Sequence, residues 1–175
     1  MRASVTIRPV RAEDAAELIA ANLASIALHE PWVFPCRDAA GFHAYLRHSD
    51  GERSVGLVAR EKASGRIAGI VNLSEIVRGF FQNAYLGYYG VAGMNGRGLM
   101  SQAVSLAVTY AFTELGLHRL EANIQPGNAP SRALAARLGF RQEGYSPRYL
   151  RIGGGWRDHE RWAILSEDWR PTVTP

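Results

Sequence analysis

The sequence predicts a mixed α/β fold, a largely antiparallel sheet flanked by helices. Three observations predict it. Strand-like and helix-like runs alternate in the order β-α-α-β-β-β-α-β-α-β-β, which suits one mixed domain. Two strand-like runs, 54–60 and 66–74, flank Lys62-Ala63-Ser64-Gly65, a hairpin signal. A glycine-rich loop, Gly93-Met94-Asn95-Gly96-Arg97-Gly98, joins a strand-like run at 85–91 to a helix-like run at 99–115.

The elements follow in chain order. Residues 5–10 read as a first strand. Residues 12–24 read as a helix, with Glu13 and Asp14 in the first turn, where acids complement the helix dipole. Pro31-Trp32-Val33-Phe34-Pro35 breaks the chain, and a short helix follows at 39–46. Gly116 is placed to cap the long helix that starts at Leu99 and Met100. Residues 119–124 alternate, with Leu120, Ala122 and Ile124 on one face and Arg119, Glu121 and Asn123 on the other. Residues 130–138 read as a helix closed by Gly139. Two final strands, 149–152 and 157–165, flank Gly153-Gly154-Gly155.

With 175 residues, the length suits a single domain, 1–175, with a substantial core. No apolar run reaches membrane-spanning length, and the N-terminus lacks a signal-peptide apolar region. One cysteine, Cys36, rules out an internal disulfide framework and makes a cytoplasmic location the expectation. Scattered histidines and a lone thiol give no metal-site spacing, so no metal is expected. The net charge of +4 suits an anionic ligand, but no block of Lys and Arg forms a nucleic-acid arm.

The glycine loop carries the first chemistry. Glycines let the backbone turn sharply and approach a ligand. The first turn of the following helix offers unpaired N–H groups and a positive dipole end, a phosphate site. The order G-x-x-G-x-G differs from the dinucleotide fingerprint, and no Gly-Lys-Ser/Thr completes a P-loop. A second pattern, N-x-x-S-x-x-L-x-x-x-L-G-F, runs from Asn128 through Ser131, Leu134 and Leu138 to Phe140. Asn128 also suits a helix N-cap, and both leucines suit a core.

The two motifs together resemble the pyrophosphate loop and second cofactor motif of the GNAT superfamily of N-acetyltransferases. Further segments resemble its Rim-type ribosomal-protein alanine N-acetyltransferases. They are Asn72-Leu73-Ser74, Val77-Arg78-Gly79, Tyr85-Leu86-Gly87-Tyr88, His118-Arg119, Glu143-Gly144-Tyr145, Trp156-Arg157-Asp158-His159 and Asp168-Trp169. The resemblance implies a mostly antiparallel sheet splayed between two parallel strands, with acetyl-CoA in the splay. It implies that backbone groups of Gly90 and Val91 pair with the pantetheine arm. Asn95, Gly96, Arg97, Gly98, Leu99 and Met100 would hold the pyrophosphate. Asn123 and Asn128 would complete the cofactor site, and Ser131 would both line it and protonate the leaving thiolate. A donor tyrosine common in the superfamily is replaced by Ala135. Where Rim-type relatives carry an acidic base, this chain has Arg148; Glu75 is the first substitute, followed by Asp158 and Glu121. Three readings follow: acetylation of a protein N-terminus, foremost a ribosomal one; acetylation of a small amine; or CoA binding without turnover. Either a monomer or a homodimer is compatible with them.

Overall fold

The computed structural model describes residues 3–174. Seven strands form one sheet in the order β1-β2-β3-β4-β5-β7-β6. They are β1 (Val5–Pro9), β2 (Val55–Glu61), β3 (Ile67–Val77), β4 (Asn83–Gly90), β5 (Arg119–Ile124), β6 (Arg141–Ile152) and β7 (Gly155–Leu165). The helices are α1 (Ala15–Ala24), α2 (Ile26–His29), α3 (Ala39–His48), α4 (Leu99–Thr113) and α5 (Ala129–Arg137). Among the described residues no helix is long and apolar enough to cross a membrane.

The central strands β2 and β3 are nearly continuous apolar runs because helices cover both of their faces. Helix α4 buries Ala103, Ala107 and Ala111 one turn apart, with Val104 and Val108 beside them. Small side chains at that spacing bring the helix close to the sheet. Phe42 of α3 and Leu18 of α1 are fully buried in the core on the other side. Asp38 starts α3 by accepting a hydrogen bond from Gly41 N–H at 2.7 Å.

All neighbouring strands run antiparallel except β4 and β5. That parallel pair is short: Asn83, Ala84 and Tyr85 face Arg119, Leu120 and Glu121. Beyond it β4 stays paired with β3 as far as Gly90, and β5 with β7 as far as Ile124. The sheet therefore opens into a wedge between the C-terminal halves of β4 and β5.

The first helix and β6 differ from the sequence expectation, and α2 is additional to it. The first helix divides into a 3-10 turn, Ala12–Asp14, and α1. The Asp14 carboxylate is drawn inward, accepting from Arg8 at 2.7 Å on each oxygen, from Arg60 at 2.9 Å and from Arg11 N–H at 2.9 Å. Strand β6 starts at Arg141, well before the expected 149. Gly144 and Pro147 read as strand breakers. They are tolerated because β6 is an edge strand whose pairing shifts at Gln142/Gly144 and Ser146/Leu150.

The Asp14 cluster ties β1 and β2 to the first helix. Its side chain is 0% exposed; burial pushes its pKa up, but the two guanidiniums and the Arg11 N–H outweigh that and hold it down to about 2 from 3.8. A depressed carboxylate stabilises the fold above its ordinary pKa and loses that contribution as pH falls toward 2. Asp14→Asn is expected to destabilise the protein by about 3 kcal/mol at neutral pH, since two arginines lose their charge partner. Urea denaturation of both proteins checks this, and the gap between them should shrink as pH drops from about 4 to about 2.

Candidate active site

The glycine loop follows β4 and starts α4. Gly93, Gly96 and Gly98 lie at φ of +80°, +75° and +72°, and a Cβ on any of them would meet nothing within 4 Å. The loop therefore presents bare main chain to open space. The N–H groups of residues 95–101 make no hydrogen bond among the described residues, and the first intrahelical bond runs from Gln102 N–H to Gly98 O. Asn95, Gly96, Gly98, Leu99, Met100 and Ser101 line one wall of a cleft of about 550 Å³. Asn128, Ser131 and Leu134 of the second motif line the other. Met100 packs across Gly90, where a Cβ would sit 3.1 Å from its Cγ. The bare backbone of Gly90 thus lets the first turn of α4 settle onto the strand.

Arg97 does not face this cleft. Its guanidinium is paired with the buried Glu61 at the end of β2 and also reaches Met94 Sδ. It pins the loop to the β2–β3 turn, leaving the backbone amides as the positive wall of the cleft.

Main-chain directions can be read from two bonds. Arg119 N–H donates to Gln82 O at 3.1 Å, and Val91 N–H donates to Ala68 O at 3.1 Å. Successive strand residues alternate between neighbours, so Tyr88 and Gly90 direct their main-chain groups into the wedge. Val91 does not, contrary to expectation: its N–H serves β3, and its carbonyl accepts from Met94 N–H. The Gly90 carbonyl already accepts from His29 Nε2 at 2.8 Å, with one lone pair to spare. Burial pushes the His29 pKa down, so the ring serves as a neutral strut.

The wedge continues through the sheet. A narrower compartment of about 150 Å³ shares Trp32, Val33, Tyr88, Asn128 and Ser131 with the cleft. It emerges on the opposite face beside Gly87, Asn123, Gln125, Leu150, Ile152 and His159. Two side chains sit where the compartments join. Asn128 Oδ1 caps α5 by accepting from Ser131 N–H at 3.3 Å, which leaves its amide N–H groups as donors. The Ser131 carbonyl accepts from the Tyr88 hydroxyl at 2.9 Å. Burial pushes the Tyr88 pKa up to about 12, so the phenol stays protonated. The Ser131 hydroxyl has no partner among the described residues.

On the far face, Asn123 Oδ1 is buried with no hydrogen-bond partner. A buried orphan acceptor beside an open wedge fits a ligand N–H. Beyond the gap an open groove runs between Trp32, Gln125, Gly127, Tyr145, Trp156 and Arg157. Its acid, Asp158, is already engaged by the Tyr145 hydroxyl and by Arg148 N–H at 2.7 Å. Arg157 makes no ion pair among the described residues. Nor does any group of three or more His, Cys, Asp or Glu there suit a metal ion.

Glu75 stands apart from this arrangement. It is exposed, at φ +48°, in the irregularity that shifts the β3–β4 register between Ser74 and Val77, and it lines neither compartment. Three residues to which the sequence assigns no site role line the gap: Trp32, Tyr88 and His159. The pattern of residues 31–35 signals only a break. Trp32 reaches the gap because Gly127 leaves room for its ring, which a Cβ there would approach to 3.0 Å.

The G-x-x-G-x-G cradle and the split parallel pair define a class. A model of the acetyltransferase (GNAT) domain matches residues 4–141, and the chain belongs to that family. Within it, the chain is 45% identical over 105 residues to the [ribosomal protein uS5]-alanine N-acetyltransferase of Escherichia coli (strain K12), covering 60% of this chain and 54% of that protein. The chain spans just over half the length of the curated relatives it first matches, 57% and 54%. Its structure resembles Mycobacterium smegmatis RimJ in complex with CoA-disulfide, at 31% identity and TM-score 0.86 over 95% of this chain and 85% of the other. It also resembles ribosomal-protein-S5-alanine acetyltransferase from Vibrio fischeri, at 28% identity and TM-score 0.82 over 98% of each.

Proposed function

We propose that the chain transfers the acetyl group of acetyl-CoA to the N-terminal α-amine of a polypeptide, ribosomal proteins foremost, by direct attack in a ternary complex. One observation carries this reading: the gap between β4 and β5 is lined from both faces of the sheet. A cofactor on the α4–α5 side and an amine on the other can meet there. The cleft fits CoA. Its free amides and the dipole of α4 suit a pyrophosphate, and Tyr88, Gly90 and Asn128 offer polar groups to a pantetheine arm. The related RimJ structure contains CoA-disulfide, which supports the same ligand class.

The far side favours a peptide over a polyamine. A polycation calls for free carboxylates, whereas the acid bordering the groove, Asp158, is committed. Leu150 and Ile152 give the far side of the gap apolar walls suited to a small uncharged first side chain. Trp156, 62% exposed, and Tyr145 offer aromatic surface to the residues that follow. The uS5-alanine relative points to the same acceptor class.

Acceptor competition tests the reading. A short peptide with free N-terminal alanine should be acetylated faster than the same peptide N-blocked and carrying lysine, and faster than spermidine. An α-amine has pKa about 7.7–8.0 against about 10.4 for lysine, so far more of it is neutral near pH 7. Faster transfer to lysine or spermidine would overturn the acceptor assignment. Binding of acetyl-CoA with transfer to none of the three would favour a binding module.

A further inference from the structure

We propose that His159 is the base that takes the proton from the attacking amine; this rests on the acetyl-transfer reading above. Four observations place it in that role. First, His159 lines the gap on the face where Asn123 and Gly87 lie, away from α4 and α5, which is the side left for the acceptor. Second, its tautomer is set. Nδ1 lies 2.9 Å from the Arg157 carbonyl, which can only accept, so Nδ1 carries the proton in the neutral ring. The lone pair is then on Nε2. Third, Nε2 is free: it has no hydrogen-bond partner among the described residues, and it is not among the polar atoms sealed from solvent without one. It is the ring nitrogen left without a partner in a residue that lines the gap. Fourth, the ring is fixed: the residue is 2% exposed and packs on the Tyr149 ring at 6.2 Å between centroids.

The charged and titratable groups around it suit the task. Tyr149 faces the ring from β6, Asn123 and Trp32 share its compartment from β5 and the 31–37 segment, and Arg157 and Asp158 flank it on β7. Burial lowers the imidazole pKa, so the ring is neutral near pH 7 and ready to accept. The Asp158 carboxylate opposes that shift and supports the imidazolium once formed. Glu75 is outside the gap, and Arg148 offers no basic lone pair.

The protons balance as follows. The ammonium gives one proton to His159 Nε2. Its freed lone pair attacks the thioester carbonyl carbon and forms the C–N bond. The C–S bond then breaks. The second amine proton passes to the departing sulfur through the Ser131 hydroxyl, which gives one proton and receives another. Amide and free thiol leave, and the imidazolium returns its proton to solvent.

The test uses the intact protein with acetyl-CoA and the alanine peptide. His159→Asn keeps an N–H near the Arg157 carbonyl but has no basic nitrogen. It should lower kcat/KM about a hundredfold and leave CoA affinity within about twofold by calorimetry. His159→Ala should recover activity with added imidazoles, more so with the more basic ones, a response that a packing defect would not give. Independently of any variant, nitrogen NMR of the parent should find His159 neutral at neutral pH, with the proton on Nδ1. An unimpaired His159→Asn enzyme, rescue indifferent to basicity, or a proton on Nε2 at neutral pH would each overturn the proposal. A parent that acetylates no amine would overturn both this and the proposed function, whereas an active parent with an unimpaired His159→Asn variant overturns this inference alone.

Discussion

Replacing Gly98 by Asp is expected to weaken acetyl-CoA binding at least about tenfold, a loss of roughly 1.4 kcal/mol. Two effects combine at this residue. Gly98 holds φ +72° as the residue that starts α4, a conformation that burdens any side chain by about 1–2 kcal/mol. Its missing Cβ faces open space beside amides that no other group uses. A carboxylate there would set a negative charge against the pyrophosphate and would itself take up the dipole and the free amides of α4. Gly98→Ala separates the effects, since it carries the backbone penalty without the charge. Both variants should melt earlier than the parent, and the aspartate should lose much more affinity. Calorimetry that finds unchanged affinity in a folded Gly98→Asp protein would remove the loop from the cofactor site.

Ser131→Ala is expected to lower turnover about a hundredfold while leaving cofactor affinity nearly unchanged. The main chain of Ser131 is held independently of its hydroxyl, by Asn128 Oδ1 on the N–H and by Tyr88 on the carbonyl. Alanine therefore removes a single unpartnered hydroxyl at the junction of the two compartments and leaves α5 in place. The usual helical tyrosine is replaced by Ala135, which is buried, and the Tyr88 phenol has its proton committed to the Ser131 carbonyl. The serine hydroxyl is the free donor at the join. Turnover within about twofold of the parent, measured at saturating acetyl-CoA, would reduce Ser131 to a helix-start residue.

The parts of this site that are legible in the sequence are those built from consecutive residues. Gly93, Gly96 and Gly98 adopt positive φ because the strand-to-helix turn demands it, so their spacing alone announces the turn. Asn128 is legible as the cap of α5, and its place at the start of that helix sets it in the wall of the cleft. Strand β5 alternates cleanly because one of its faces meets the core and the other is only partly covered. What is not legible depends on tertiary partners. Arg97 looks like a phosphate ligand until Glu61, distant in sequence, is seen to hold it. Val91 looks like a pantetheine partner until Ala68 is seen to use its N–H. The first half of β6 looks like loop because edge-strand tolerance of Gly144 and Pro147 follows from sheet order. His159 lies in a segment that marks the family, yet its role depends on the sheet opening at β4 and β5, which no local pattern encodes.

The most direct measurement is a crystal structure of the protein with a bisubstrate conjugate, CoA joined through its acetyl carbon to the α-nitrogen of an alanine peptide. The expected result has the pyrophosphate on the amides of residues 95–101 and the pantetheine between β4 and β5. The new C–N bond should lie within the gap among Ser131, Asn123 and His159, with the peptide leaving between Trp32 and Trp156. A conjugate whose peptide leaves on the α4–α5 side, or whose C–N bond lies outside the gap and away from those three side chains, would contradict transfer through the sheet.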